Sequence, residues 1–122
     1  MLDDNYIKEM VAERTKKVME IENEYLEKIY SYIQEKYIKS LPHKVGDKLV
    51  ELADFSIFKI SDIYPKQMGT NWFEVSINLK SKKWSCWTNE KDILTDFVSY
   101  KDFKNKTPVY IKALEEYRKK NK

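Results

Sequence analysis

Hydrophobic residues recur at helical spacing through the first forty positions and alternate through the middle of the chain. From Asp3 or Asp4 to about Lys39 there is neither Gly nor Pro. Ile7, Val11, Val18, Ile21, Tyr25, Ile29, Tyr32 and Ile33 fall on one face at about 100° per residue, the period of an amphipathic helix. Asp3, Asp4 and Asn5 offer oxygens for its first free amides. Glu13–Lys17, Glu24–Lys28 and Glu35–Lys39 are i,i+4 pairs in the favourable order. Pro42 ends the run, because a proline disfavours helical geometry in the residue before it. A straight helix of this length spans roughly 50 Å, whereas a domain of this size is nearer about 35 Å across. Either the helix breaks near Arg14–Lys17, or its apolar stripe pairs with another copy. Val11, Val18, Tyr25 and Tyr32 repeat every seven residues, which favours a homo-oligomer through the N-terminal helix.

The middle segment reads as short strands. Gly46-Asp47 is a turn dipeptide ahead of Lys48–Leu52. FSIFKISDIY alternates, PKQMGTN holds the breakers Pro65, Gly69 and Asn71, and WFEVSINLK places Phe73, Val75, Ile77 and Leu79 on one face. NEKDIL forms a helical turn capped by Thr88 or Asn89. Four or five strands without room for crossover helices require an antiparallel sheet. FVSYKDF is a last strand or an ordered loop. Thr107-Pro108 then opens a C-terminal helix with an apolar stripe of Tyr110, Ile111, Ala113, Leu114 and Tyr117. The expected architecture is α+β: a long N-terminal helix over 1–40, a small antiparallel barrel or bent sheet over 41–96, and a C-terminal strand and helix over 97–122, in one domain.

The stretch LKSKKWSCWTN turns one strand into the next. With Lys80 and Lys83 flanking a tight turn, Leu79 pairs with Trp84, Ile77 with Cys86 and Val75 with Thr88. Trp84 and Cys86 then face the core, while Trp72, Glu74, Ser76, Asn78 and Trp87 face outward. The outward rings have three readings. A helix covers them, they contact a protein partner, or they stack on a base with Lys80, Lys82 and Lys83 near phosphates. A one-residue change of register exchanges the two faces.

Composition narrows the function classes. Residues 1–40 hold seven basic and nine acidic side chains and residues 96–122 eight and four, so the excess positive charge lies in the tail. Only Arg14 and Arg118 are arginine, the better bidentate reader of phosphate and guanine. A single cysteine, Cys86, excludes an internal disulfide and a cysteine-based zinc site. The acidic N-terminus lacks an apolar signal segment and no run approaches a membrane span, so a cytoplasmic location is expected. His43, the sole histidine, has no partner at motif spacing and reads as a surface or hinge residue. Cys86 alternates with core residues and reads as a buried thiol. Asp54, Asp62 and Glu74 are the only acids that suggest a carboxylate or magnesium site, and solvated or turn-capping roles suit them better. The run Glu20–Glu27 is the wet face of the helix or a patch for a basic partner. There is no phosphate-binding glycine loop and no metal-ligand cluster. No enzyme, cofactor or metal is indicated.

KVGDKLVEL, FSIFKISDI and WFEVSINLK turning through SKK resemble the strand order of small SH3-like barrels, over roughly residues 43–94. A helical front on such a barrel also resembles accessory proteins carried by phages and mobile elements of AT-rich bacteria. That resemblance implies a fold without catalytic residues. It also implies a partner in the host-cell cytoplasm. The leading expectation is a non-enzymatic protein-binding module, an inhibitor that blocks a host or defence protein. The alternatives are a nucleic-acid accessory protein or a protein that sequesters a small nucleotide. The candidate partner-binding residues are Trp72, Asn78, Lys80, Lys82, Lys83 and Trp87.

Overall fold

The computed structural model describes residues 2–14, 22–69 and 72–121. The chain is α+β, with helices at both ends of a five-stranded antiparallel sheet. The helices are α1 (Asn5–Arg14), α2 (Glu22–Ile33), α3 (Asp92–Asp96), α4 (Tyr100–Asn105) and α5 (Pro108–Lys120), and a wide π-helical segment, Gln34–Ile38, continues α2. The strands are β1 (Lys48–Glu51), β2 (Ile57–Gln67), β3 (Phe73–Lys80), β4 (Ser85–Asn89) and β5 (Phe97–Ser99), in the sheet order β4-β3-β2-β1-β5. Two compact units are distinguished: Met1–Ser40 with Tyr64–Val75, and Leu41–Ile63 with Ser76–Lys122.

In the first unit the expected long helix is instead two helices folded against each other. The Tyr6 and Tyr32 rings lie 4.4 Å apart between centroids, and the Tyr25 hydroxyl donates to Glu13 Oε1 at 3.1 Å. Residues 26 positions apart on one straight helix would lie about 39 Å from each other. The described part of the apolar stripe is therefore covered within the chain: Ile7, Val11, Tyr25, Ile29 and Ile33 are buried together with Met10, Tyr32 is half-buried, and Val18 and Ile21 lie outside the described residues. Excess helix length then gives no ground for pairing with another copy. The break expected near Arg14–Lys17 lies outside the described residues, except that Arg14 ends α1. Two of the expected i,i+4 pairs form, Glu24–Lys28 at 3.9 Å and Glu35–Lys39 at 3.0 Å.

Asp4 ties this unit together. Its Oδ1 accepts the amides of Tyr6 (2.8 Å) and Ile7 (3.4 Å), capping α1 as the sequence suggests. Its Oδ2 accepts from the hydroxyls of Tyr37 (2.6 Å) and Tyr32 (2.7 Å) and from Lys36 Nζ (2.9 Å). The π segment makes this convergence possible. Its i→i+5 bond, Lys39 N–H to Gln34 O at 3.0 Å, widens the turn, and in such a turn residues five apart come into line. Burial of Asp4 opposes ionisation, but the donors from Tyr37, Lys36, Tyr32 and the Tyr6 amide outweigh it and hold its carboxyl well below the usual carboxylate range. Burial and the bond to Asp4 push Tyr37 up to about 12.

In the second unit Gly46 (φ +96°) and Asp47 make the expected turn. The Gly46 amide donates to Ile60 O at 2.8 Å, and the Asp47 side chain accepts the Lys44 amide at 2.9 Å. β1 pairs with β2 through Lys48–Lys59, Leu49–Phe58 and Val50–Ile57, and with β5 through Leu49–Ser99, Val50–Val98 and Glu51–Phe97. Asn89 Oδ1 accepts the amides of Lys91 and Asp92 ahead of α3, the second of the two caps anticipated there. FVSYKDF divides into β5 and α4, where the Ser99 hydroxyl accepts the Asp102 amide. Thr107 and Pro108 start α5 as expected. Tyr110, Ala113, Leu114 and Tyr117 pack with Val50, Leu52 and Val98, but Ile111 is exposed, being one residue off that stripe.

The buried carboxylate sets the first prediction. Asp4→Ala removes the α1 cap and the acceptor of two tyrosine hydroxyls, and should lower unfolding free energy by about 2–4 kcal/mol in a urea titration. Because the folded-state pKa of Asp4 is depressed, its contribution is fully present above the unfolded value of about 3.9. It is lost as pH falls below that. Acid unfolding curves of the wild type should therefore steepen below about pH 4. Asp4→Asn, which keeps a capping oxygen, should lose that part of the acid dependence.

Candidate nucleic-acid interface

The β3–β4 hairpin differs in register from the expected one. Lys80 pairs with Ser85, Leu79 with Cys86, Asn78 with Trp87, Ile77 with Thr88 and Ser76 with Asn89. Relative to the expected pairing β4 has slid by two residues. The faces keep their identity, but Trp84 leaves the strand for the turn. Ser81 explains the slide. Its backbone amide donates to Trp84 O at 2.9 Å, its hydroxyl donates to the same oxygen at 3.1 Å, and that hydroxyl accepts the amides of Trp84 (3.1 Å) and Lys83 (3.3 Å). A side chain that satisfies a four-residue turn replaces the primed two-residue turn, which Ser-Lys suits poorly.

Two expectations are thereby corrected. Trp84 is 55% exposed rather than in the core. Cys86 is exposed too, on the edge strand β4, although its cross-strand partner Leu79 is fully buried. Partial burial and the Glu51 carboxylate push the Cys86 thiol up, away from thiolate chemistry. The outward face of β3 divides along its length. Glu74 and Ser76 are buried, contrary to expectation, while Asn78 is half-buried and Lys80 exposed.

β1–β2 and β3–β4 are alternate hairpins of one meander, so their turns emerge at the same end of the sheet. Between them lies a groove of about 780 Å³. Its floor carries Lys48, Lys59 and Lys80, and its rim carries Lys82, Lys83 and Trp84 from one turn and Phe55 and Ser56 from the other. Ile57, Phe58, Ser81 and Tyr100 complete the lining, which contains no carboxylate. Among the described residues no ion pair joins any of these five lysines to an acid. Lys48 and Lys59 are direct cross-strand partners, an arrangement that like charges destabilise. The Tyr100 ring, 5.8 Å from Lys48 Nζ, gives that charge a cation–π contact.

Phe55 occupies the left-handed region at φ 62°, which is uncommon for a bulky residue. Its amide donates to Glu51 O (2.8 Å), and the Glu51 amide donates to Ser56 O (2.9 Å), which closes the turn. Asp54 Oδ1 accepts the Ser56 amide at 3.0 Å, a bond that lowers its carboxyl pKa. The Phe55 ring packs 5.4 Å from Phe103 and is still 45% exposed toward the groove.

Of the residues expected to bind a partner, Lys80, Lys82 and Lys83 meet in this groove. Asn78 and Trp87 are cross-strand neighbours beside it. Trp72 belongs to the first unit and is 42% exposed. Sequence reasoning missed Lys48, Lys59, Phe55 and Tyr100 as site residues. Lys48 and Lys59 could have been found by pairing the two strands on either side of ELADFS. The other candidate chemistry does not assemble. Asp62 Oδ1 accepts the Ile63 amide at 2.9 Å, and no three His, Cys, Asp or Glu among the described residues are grouped to hold a metal. Partial burial pushes the His43 imidazole below its usual value, against the opposing pull of Asp47 and Asp102. No helix among the described residues is long and apolar enough to cross a membrane. No protein-family model, curated protein or solved structure matches the chain.

All three tryptophans in this arrangement are open to solvent. Acrylamide should quench their emission nearly as efficiently in the folded protein as in urea, and Trp84→Ala should shift unfolding free energy by no more than about 0.5 kcal/mol. Phe55→Gly should be close to neutral, within about 1 kcal/mol, because relief of the left-handed backbone offsets loss of the Phe103 contact. Thermal or urea unfolding of that variant checks the balance.

Proposed function

We propose that the protein binds nucleic acid in the groove between its two hairpin tips, with no chemistry of its own. The observation that carries this reading is the convergence of five unneutralised lysines on a groove with exposed Trp84 and Phe55 rings. Lysine is a compact point charge suited to phosphate. Arginine, the usual reader of guanine edges, is absent from the lining, so affinity comes from the backbone and from stacking rather than from base sequence. Lysine is also depleted at protein–protein interfaces, which weighs against a protein partner for this surface. The strand order β5-β1-β2-β3-β4, with a short helix before β5, supports an SH3-like reading that begins in residues 43–94 and takes in β5 at Phe97–Ser99. An accessory protein of a phage or mobile element would use such a groove on nucleic acid in the host cytoplasm.

A second reading is favoured by the apolar share of the same wall, exposed Phe55 and Ile57. These suit an acidic peptide of a host or defence protein, bound and blocked. A small nucleotide would also meet lysines and a ring, but the groove is open and larger than one base needs.

The test is a fluorescence titration with oligonucleotides longer than about 16 nucleotides, repeated across salt concentrations. Tryptophan quenching should be strong at low salt, and log affinity should fall linearly with log salt. Lys59→Ala, Lys80→Ala and Lys83→Ala should each reduce that slope by roughly 0.7. Lys80→Ala and Lys83→Ala should leave the melting midpoint unchanged, and Lys59→Ala should raise it slightly by relieving the Lys48 repulsion. Absence of quenching by any polymer, with quenching by an acidic peptide, would transfer the groove to the protein reading.

A further inference from the structure

The groove does not end at Lys80. A hollow of about 380 Å³, walled by Val45, Gly46, Lys59, Ile60, Ser61 and Lys80, shares Lys59 and Lys80 with it. Beyond that, a hollow of about 320 Å³ shares Ser61 and Lys80 with the second and reaches Asn78 and Trp87. Of these, Lys59, Ser61, Asn78, Lys80 and Trp87 belong to one face of the sheet. Lys59 and Ser61 are two apart on β2, Asn78 and Lys80 are two apart on β3, and Trp87 is the direct partner of Asn78. The Ser61 hydroxyl donates to Asn78 O at 3.2 Å and bridges β2 to β3 along this floor. Trp87 stands 57% exposed at the far end.

The three hollows thus form a track down β2, from Ile57 at the hairpin tips to Ser61, a rise of about 13 Å. An exposed tryptophan stands near each end, with lysines and small polar side chains between. A duplex holds its bases paired and stacked, so it presents phosphates and groove edges but no free base face to such rings. A chain of unstacked bases meets both rings and the lysines together. Resting on the nucleic-acid reading of the groove, we propose that the ligand is single-stranded, and that it runs from Trp84 to Trp87 with Trp87 as the second stacking platform. Asn78, beside Trp87, supplies an amide to the sugar or base edge.

The probes are an oligothymidylate, its duplex with oligoadenylate, and an abasic strand of equal length, each titrated by fluorescence anisotropy against the wild type, Trp87→Ala, Trp87→Phe and Lys80→Ala. The single strand should bind more tightly than the duplex, and the abasic strand about tenfold more weakly than the oligothymidylate. Trp87→Ala should weaken single-strand binding about tenfold and leave duplex binding unchanged, and Trp87→Phe should recover most of the loss. Its exposed ring predicts an unchanged melting midpoint, and the abasic probe tests stacking without any substitution. Equal binding of duplex and single strand, or Trp87→Ala binding as the wild type does, overturns the track. The groove reading survives that result if Lys80→Ala still weakens binding. Failure of every nucleic acid to bind overturns both.

Discussion

An antiparallel meander returns alternate turns to the same end of a sheet, and the groove depends on that constraint. The β1–β2 and β3–β4 turns cannot avoid facing the same region, so what they carry decides what the region is. One carries Phe55 and Ser56, the other Lys82, Lys83 and Trp84. The sheet face beneath them is covered only in part. Val50 and Val98 lie under α5 in one apolar cluster, but the neighbouring cross-strand pair on that face, Lys48 and Lys59, borders the groove. Tyr100, at the start of α4, stands at the boundary, partly packed on the cluster and partly lining the groove. Where the helices end, alternation hands the same face to lysines.

The parts of this arrangement that depend on neighbouring residues were legible in the sequence. Gly46-Asp47, Asn89 and Thr107-Pro108 lie at turns and caps that act within four residues, and strand alternation in β2 and β3 needs no knowledge of their partners. The parts that depend on distant residues were not legible. Nothing in a window around Asp4 shows that Tyr32, Lys36 and Tyr37 will meet one carboxylate oxygen, because the chain first has to reverse and the π segment has to widen the turn. An apolar helical stripe reads the same whether its two halves cover one another or face a second copy.

Register is the intermediate case. Alternation identifies faces but leaves shifts by two residues undecided, since such a slide keeps every surviving residue on its side. The choice falls to the turn, and there a single hydroxyl, that of Ser81, decides it. The outcome for Trp84 is large: a ring expected in the core becomes the rim of a groove. The candidate lysines were half legible for a related reason. Lys80, Lys82 and Lys83 announce themselves as a cluster, whereas Lys48 and Lys59 are eleven positions apart and become neighbours only through β1–β2 pairing.

Two features of the second unit oppose its stability, and both border the groove. Phe55 holds a left-handed backbone that glycine adopts without strain, at a cost on the order of 1 kcal/mol. Lys48 and Lys59 face one another across β1 and β2, where opposite charges or an apolar pair would hold the sheet better. The left-handed turn places an aromatic ring at the groove wall, and the lysine pair leaves its floor positive. A polyanion would relieve the repulsion between the lysines and cover the ring. On the proposed reading, part of the binding free energy would come from relief of the Lys48–Lys59 repulsion, while the left-handed backbone at Phe55 would be unchanged.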